Sequence, residues 1–150
     1  MSTTNIARIK QRAAERAQKM KLPYAGALLP AEAHALMQAG ATLVDVRTEA
    51  ELQYVGSIPG SATVQWNRFP DGQRNPEFLA QLVEVAVKDK PVMFLCRSGA
   101  RSHQAALAAT QAGWREAYNV LEGFEGDKNA AHQRNTVGGW KFARLPWIQG

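Results

Sequence analysis

Cysteine is almost missing from this sequence. Cys96 stands alone among 150 residues, so no disulfide can close within the chain and no multi-cysteine metal site can form. Histidine is nearly as scarce: His34, His103 and His132 lie far apart and show no ligand spacing. No apolar run approaches the roughly 20 residues of a membrane-spanning helix. The N-terminal residues lack the apolar stretch of a secretory signal. These absences imply no membrane span and no metal site, and a lone cysteine is compatible with a reducing, cytoplasmic setting.

An even spread of positive charge is missing too. The net charge is +5, yet residues 1–22 hold six basic side chains (Arg8, Lys10, Arg12, Arg16, Lys19 and Lys21) against Glu15 alone. Beyond them, 12 basic and 12 acidic residues cancel. The basicity belongs to one end of the chain, which argues against a nucleic-acid-binding protein.

What is present is a sequence sized for one domain, with 45% hydrophobic and 21% charged residues. Ile6, Ile9, Ala13, Ala17 and Met20 recur at helical spacing between the basic residues. This amphipathic face is short and mostly alanine, so the expectation is a solvated or loosely docked helix. Contact with an anionic membrane and a targeting role are the alternatives. Residues 1–23 are accordingly read as a basic helical extension and residues 24–150 as the domain.

Lys21 to Gly26 reads as a linker, punctuated by Pro23 and Gly26. Pro30 suits the first turn of a helix ending at Gly40. Thr42 to Val46 reads as a buried strand. Thr48-Glu-Ala-Glu51 has the spacing of a capping box. Ser61 to Gln65 is a weaker strand. Asn75-Pro76 starts a helix whose apolar face carries Phe78, Leu79, Leu82, Val83 and Ala86. Pro91 to Leu95 and Ala117 to Leu121 are further strands. Strands alternating with helices predict an α/β fold, with a mostly parallel central sheet flanked by helices. Gly123 to Gly139 is long and polar, either an insertion over the site or a surface loop.

The chemistry concentrates in Cys96-Arg97-Ser98-Gly99-Ala100-Arg101-Ser102. The segment follows a buried strand and leads into a helix beginning near Ser102 and stopping at Gly113. Such a turn can aim successive N–H groups into one concavity, reinforced by the helix dipole. Arg97 and Arg101 add charge near the sulfur, surroundings that favour a reactive thiolate.

This loop resembles the active-site loop of rhodanese-like sulfurtransferase domains. Leu43-Val44-Asp45-Val46-Arg47 resembles the family's first-strand Asp-x-Arg motif, and Gly56-Ser57-Ile58-Pro59-Gly60-Ser61 its Gly-His-Ile-Pro-Gly-Ala segment, with Ser57 in place of the histidine. Asn119-Val-Leu-Glu-Gly-Phe124, Gly139-Trp140 and Leu145-Pro-Trp147 resemble its closing segments. The resemblance covers roughly residues 24 to 148 and implies a rhodanese-like fold. It implies a sulfurtransferase that carries sulfur as a persulfide on Cys96, with no cofactor. The partners implied are a small anionic donor such as thiosulfate and, as acceptor, a thiol, cyanide or a sulfur-accepting protein.

On this reading the amides of Arg97, Ser98, Gly99, Ala100, Arg101 and Ser102 cradle the anionic sulfur. Arg97 and Arg101 draw in the donor, and Arg101 is expected to grip it through its planar fork. Asp45 accepts hydrogen bonds from the Cys96 loop or from neighbouring backbone. Arg47 pairs with Glu51 or braces the loop edge. His103 packs or faces solvent. Of the four tryptophans, Trp140 is the one the resemblance associates with the substrate cavity.

Two other functions compete. Phosphatases and arsenate reductases use a Cys, five residues, then Arg; here four residues separate Cys96 from Arg101, and Ser102 holds the arginine position. A non-catalytic rhodanese-like binding module is the second alternative, disfavoured because Cys96 is present in a complete loop.

Overall fold

A computed structural model describes residues 3 to 149 of the chain. Its elements are α1 (Thr3–Met20), β1 (Gly26–Leu28), α2 (Pro30–Gln38), β2 (Thr42–Asp45), α3 (Glu49–Tyr54), β3 (Ala62–Thr63), α4 (Phe78–Val85), β4 (Val92–Leu95), α5 (Ala100–Gln111) and β5 (Ala117–Val120). The strands form one five-stranded sheet in the order β1-β5-β4-β2-β3. Every pairing is parallel. A parallel sheet is covered on both faces, so its central strands must be apolar on both sides. β4 meets this requirement with four buried apolar residues, and β5 is buried throughout, with Asn119 its polar exception.

The two faces define two cores. One gathers Val44, Val46, Trp66, Phe78, Leu82, Val92, Phe94, Ala105, Ala109 and Trp114. The other gathers Ile9, Ala13, Leu28, Leu36, Leu43, Met93, Leu95, Tyr118, Phe124 and Trp140. Alternation along β4 sends Val92 and Phe94 to the first core and Met93 and Leu95 to the second. Cys96 continues the first series. Its side chain therefore emerges on the α5 face of the sheet.

Three local expectations change. Gly26 does not end a linker but opens β1, pairing with Tyr118 of β5. The glycine is there because α1 crosses it closely: a Cβ at Gly26 would sit 2.7 Å from the Ala13 Cβ. Nor is α1 solvated or loose. Ile9, Ala13 and Ala17 are buried, Arg16 donates to the Ala27 carbonyl at 2.9 Å and pairs with Glu32 through both nitrogens at 2.6 and 3.0 Å. Lys10 reaches Glu116 at 3.0 Å. Its alanines, read as a weak apolar face, are what permit this close approach. Finally, Val83 on α4 is exposed while Phe78, Leu82 and Ala86 are buried. The stripe of α4 is narrower than its composition suggests. No helix among the described residues is long and apolar enough to cross a membrane.

Candidate active site

β2 and β4 run side by side with Asp45 in register with Leu95. The ends of both strands therefore open on the same edge of the sheet, where open α/β sheets bind ligands. Immediately beyond β4 the chain turns at Gly99, whose φ of +115° is open to glycine and costly to other residues. α5 starts at Ala100, two residues before the expected Ser102. The earlier start moves Ser102 into the first helical turn and buries it completely.

Cys96 is not an exposed loop atom. It is 1% exposed, and its sulfur has two neighbours: the Gly99 N–H donates to it at 3.1 Å, and the Ser102 hydroxyl lies 3.3 Å away. Ser102 in turn donates to Asn119 Oδ1 at 2.6 Å, while Asn119 Nδ2 donates to the Gly99 carbonyl at 3.3 Å. Burial pushes the Tyr24 phenol above its ordinary value, and the neighbouring Asn119 side chain works against that push. The Tyr24 hydroxyl and His103 Nδ1 are 2.7 Å apart, so His103 is occupied by packing and hydrogen bonding. Of the other loop residues, Arg97 and Ala100 are exposed and Ser98 is half-buried.

The ion pairs differ from expectation. Arg101 does not present a free fork. Its Nη1 and Nη2 bind Glu51 Oε1 and Oε2 at 2.7 and 2.9 Å. The hydrogen bond to Glu51 raises the Arg101 pKa above its ordinary value against the cost of burial, and the Asp45 carboxylate adds to the rise. Burial alone would push Glu51 up, but the Arg101 hydrogen bond and charge, with Thr48 as further donor, bring it down to about 2. The capping box prepares this: Thr48 N–H donates to Glu51 Oε1 at 3.1 Å and Glu51 N–H to Thr48 Oγ1 at 3.3 Å.

Glu51 is thus not the partner of Arg47. Arg47 instead donates to Asp45 from its backbone at 3.1 Å, from Nε at 3.0 Å and from Nη2 at 2.7 Å. Nη2 also reaches the Gly56 carbonyl at 2.8 Å, and the guanidinium lies over the Phe124 ring at 4.1 Å. Asp45 and Arg47 are both 0% exposed. Asp45 accepts nothing from the Cys96 loop; this pair holds β2 to the start of the Gly56 segment. Trp140 is likewise a core residue, fully buried, donating to the Pro146 carbonyl at 2.8 Å and edge-on to His34. It lines no cavity.

The segment from Gly123 onward supports the loop. Phe124 N–H donates to the Cys96 carbonyl at 2.8 Å, and Glu125 and Gly126 donate to the Arg97 carbonyl at 3.0 and 3.2 Å. A Cβ at Gly123 would lie 2.5 Å from the Cys96 carbonyl oxygen. The Glu51–Arg101 pair lines a groove of about 430 Å³, walled also by Tyr54, Arg68 and Phe69. Sequence reasoning passed over Asn119. Its signal was a polar residue in the otherwise apolar strand Ala117-Tyr-Asn-Val120. No cluster of three or more metal-ligating side chains occurs among the described residues.

A parallel sheet with a glycine-capped cysteine turn at its strand ends is the architecture of a known class. The rhodanese-like domain family matches residues 29–130, and the chain belongs to it. A crystal structure of Rv0390 from M. tuberculosis superposes with a TM-score of 0.78 at 44% identity, covering 85% of this chain and 99% of that one. An uncharacterised protein of Rickettsia rickettsii, the RP600 homolog, is 40% identical over 110 residues, 71% of this chain and 82% of that protein. A thiosulfate sulfurtransferase, GlpE of Stutzerimonas stutzeri, is 34% identical over 96 residues, 64% of this chain and 78% of that protein.

Proposed function

We propose that the chain is a sulfurtransferase that carries sulfane sulfur on Cys96. The observation that carries this reading is the Gly99 N–H aimed at the Cys96 sulfur at 3.1 Å, at the mouth of a helix whose dipole favours negative charge there. The similarity to a thiosulfate sulfurtransferase supports it.

The Cys96 thiolate attacks the outer sulfur of thiosulfate. A bond forms between the two sulfurs, the thiosulfate S–S bond breaks, and sulfite leaves with the electron pair. An acceptor thiolate or cyanide carbon then attacks the outer persulfide sulfur, and the Cys96 thiolate is the leaving group. One difficult transfer becomes two displacements, the logic of covalent catalysis. Exposed Arg97 draws in the dianionic donor. Arg101 acts differently: clamped on Glu51, it fixes α5 against α3 and contributes its charge from a distance.

The test is incubation with thiosulfate and cyanide, with thiocyanate formation as the readout and intact mass of the protein after thiosulfate alone. A gain of one sulfur atom on Cys96 and thiocyanate turnover are expected. A protein that forms neither is a binding module rather than an enzyme.

A further inference from the structure

Ser102 has one hydroxyl hydrogen, and the structure says where it goes. The Gly99 carbonyl can only accept, so the Asn119 atom 3.3 Å from it is the amide nitrogen. The other Asn119 atom is therefore the carbonyl oxygen, which can only accept, and Ser102 must donate to it at 2.6 Å. What Ser102 then turns toward Cys96, 3.3 Å away, is a lone pair. Only an S–H can complete that contact. The thiol thus donates to Ser102 and accepts from the Gly99 N–H, and both of its hydrogen-bonding roles are filled. Ser102 is fully buried and Asn119 is 4% exposed, which shuts bulk water out as an alternative partner for either.

We infer that Asn119 is a positioning residue that decides when Cys96 can become a nucleophile, by competing with the sulfur for the Ser102 hydrogen. When the thiol loses its proton, the S–H···O contact becomes one between two lone pairs. Restoring it requires the hydroxyl to rotate from Asn119 to the sulfur, stranding a buried amide oxygen. Asn119 therefore ties formation of the nucleophile to a rotation of the Ser102 hydroxyl. Such a latch suits a site that must not react with every electrophile that reaches it. This inference rests on the proposed role of Cys96 as the nucleophile, but not on which donor or acceptor it serves.

Other groups around the sulfur act by charge rather than by this contact. They are Arg97 on the loop, Arg101 on α5 with Glu51 on α3 behind it, the Asp45–Arg47 pair extending from β2, and the Tyr24–His103 pair beyond Asn119. None of them hydrogen-bonds the sulfur among the described residues. Substitution at Asn119 leaves all of these charges in place, so its effect can be read against a constant background.

The experiment measures the rate at which iodoacetamide alkylates Cys96 as a function of pH, by mass spectrometry of the full chain. Asn119→Leu frees the Ser102 hydrogen for the sulfur and should move half-maximal reactivity to lower pH by about one unit, tenfold in rate on the rising limb. Asn119→Asp keeps an acceptor and adds negative charge, and should move it upward. Combining Asn119→Leu with Ser102→Ala should erase the downward shift, because no hydrogen remains to be released. Shifts of the same sign for Leu and Asp, or a Leu shift that survives in Ser102→Ala, would overturn the proposal. Should the leucine variant not fold, Asn119→Asp with and without Ser102 answers the same question, its upward shift shrinking when the hydroxyl is gone. Alkylation needs no sulfur donor, so failure of thiosulfate transfer leaves this test intact.

Discussion

Arg101 and Glu51, 50 residues apart in sequence, meet fork to fork with both nitrogen–oxygen distances under 3 Å, at 2.7 and 2.9 Å. The pair joins the first turn of α5 to α3, and both residues line the groove beside Tyr54. An arginine so committed cannot also grip a donor with the same two nitrogens.

Arg101→Lys should therefore reduce transfer by loosening the turn rather than by removing a ligand. A lysine keeps the charge but cannot reproduce the paired geometry. The expected signature is a fall in kcat with little change in KM for thiosulfate, read from steady-state kinetics. Arg97→Lys should be mild, and salt should weaken the variant and the natural chain alike as screening removes long-range attraction. A raised KM at Arg101 and none at Arg97 would reverse these assignments.

The same pair makes stability depend on acidity. Glu51 is held near 2 in the folded chain against an ordinary value of 4.5, so the folded state binds that proton less readily than the unfolded one. Its contribution is fully present above about pH 4.5 and is lost as pH falls toward about 2. Allowing for solvent screening of a half-buried group, about 1–2 kcal/mol is at stake. Urea denaturation of Glu51→Gln and the natural chain should differ by this amount at neutral pH and converge near pH 2.

Cys96→Ala should abolish transfer and the gain of sulfur by mass. Because Cys96 packs with Phe94 and Ala105 at the edge of the first core, the substitution should also cost about 1 kcal/mol, the centre of the usual range for point changes. Chemical denaturation gives the second number. Full activity in the variant would eliminate the persulfide mechanism.

Asp45→Ala should be among the most damaging single changes. It leaves the Arg47 guanidinium fully buried with only the Gly56 carbonyl and the Phe124 ring as company. Breaking a buried pair in this way costs about 3–5 kcal/mol. The loss should appear in thermal unfolding, and thiocyanate formation should persist at temperatures where the variant is folded.

Gly26→Val tests the docking of α1. The added atoms would meet Ala13, so the helix must shift, at a cost of about 1–3 kcal/mol. Deleting residues 1–22 should cost at least as much, by uncovering the face of β1 that Ile9 and Ala13 bury. A truncated chain of unchanged denaturation midpoint would contradict this packing.

The cysteine turn, the capping box and the strand–helix alternation were legible because each depends on neighbours in sequence. Gly99, Thr48 and Glu51 declare their roles within four residues. Where the deciding contact is distant, the sequence misleads. Proximity along the chain points Glu51 at Arg47, but the capping box turns its oxygens toward Arg101 on another helix. Gly26 reads as punctuation because its reason, Ala13, belongs to a different element. The family resemblance points Trp140 at a cavity, whereas its ring packs in the second core against His34. Asn119 carried a signal, a lone polar residue in a buried strand, but its meaning needed the positions of Ser102 and the Gly99 carbonyl.

The donation of Phe124, Glu125 and Gly126 to the carbonyls of Cys96 and Arg97 has a consequence for how the chain matures. In a trans peptide the N–H points opposite its own carbonyl. Anchoring these two oxygens therefore turns the Arg97 and Ser98 amides away from residues 124–126. A nascent chain that has reached Leu121 already owns the cysteine, the turn and α5. It does not yet own what fixes the direction of those amides. The polarity of the turn is thus written 28 or 29 residues downstream, and a growing chain acquires it only when that stretch folds back onto the strand end.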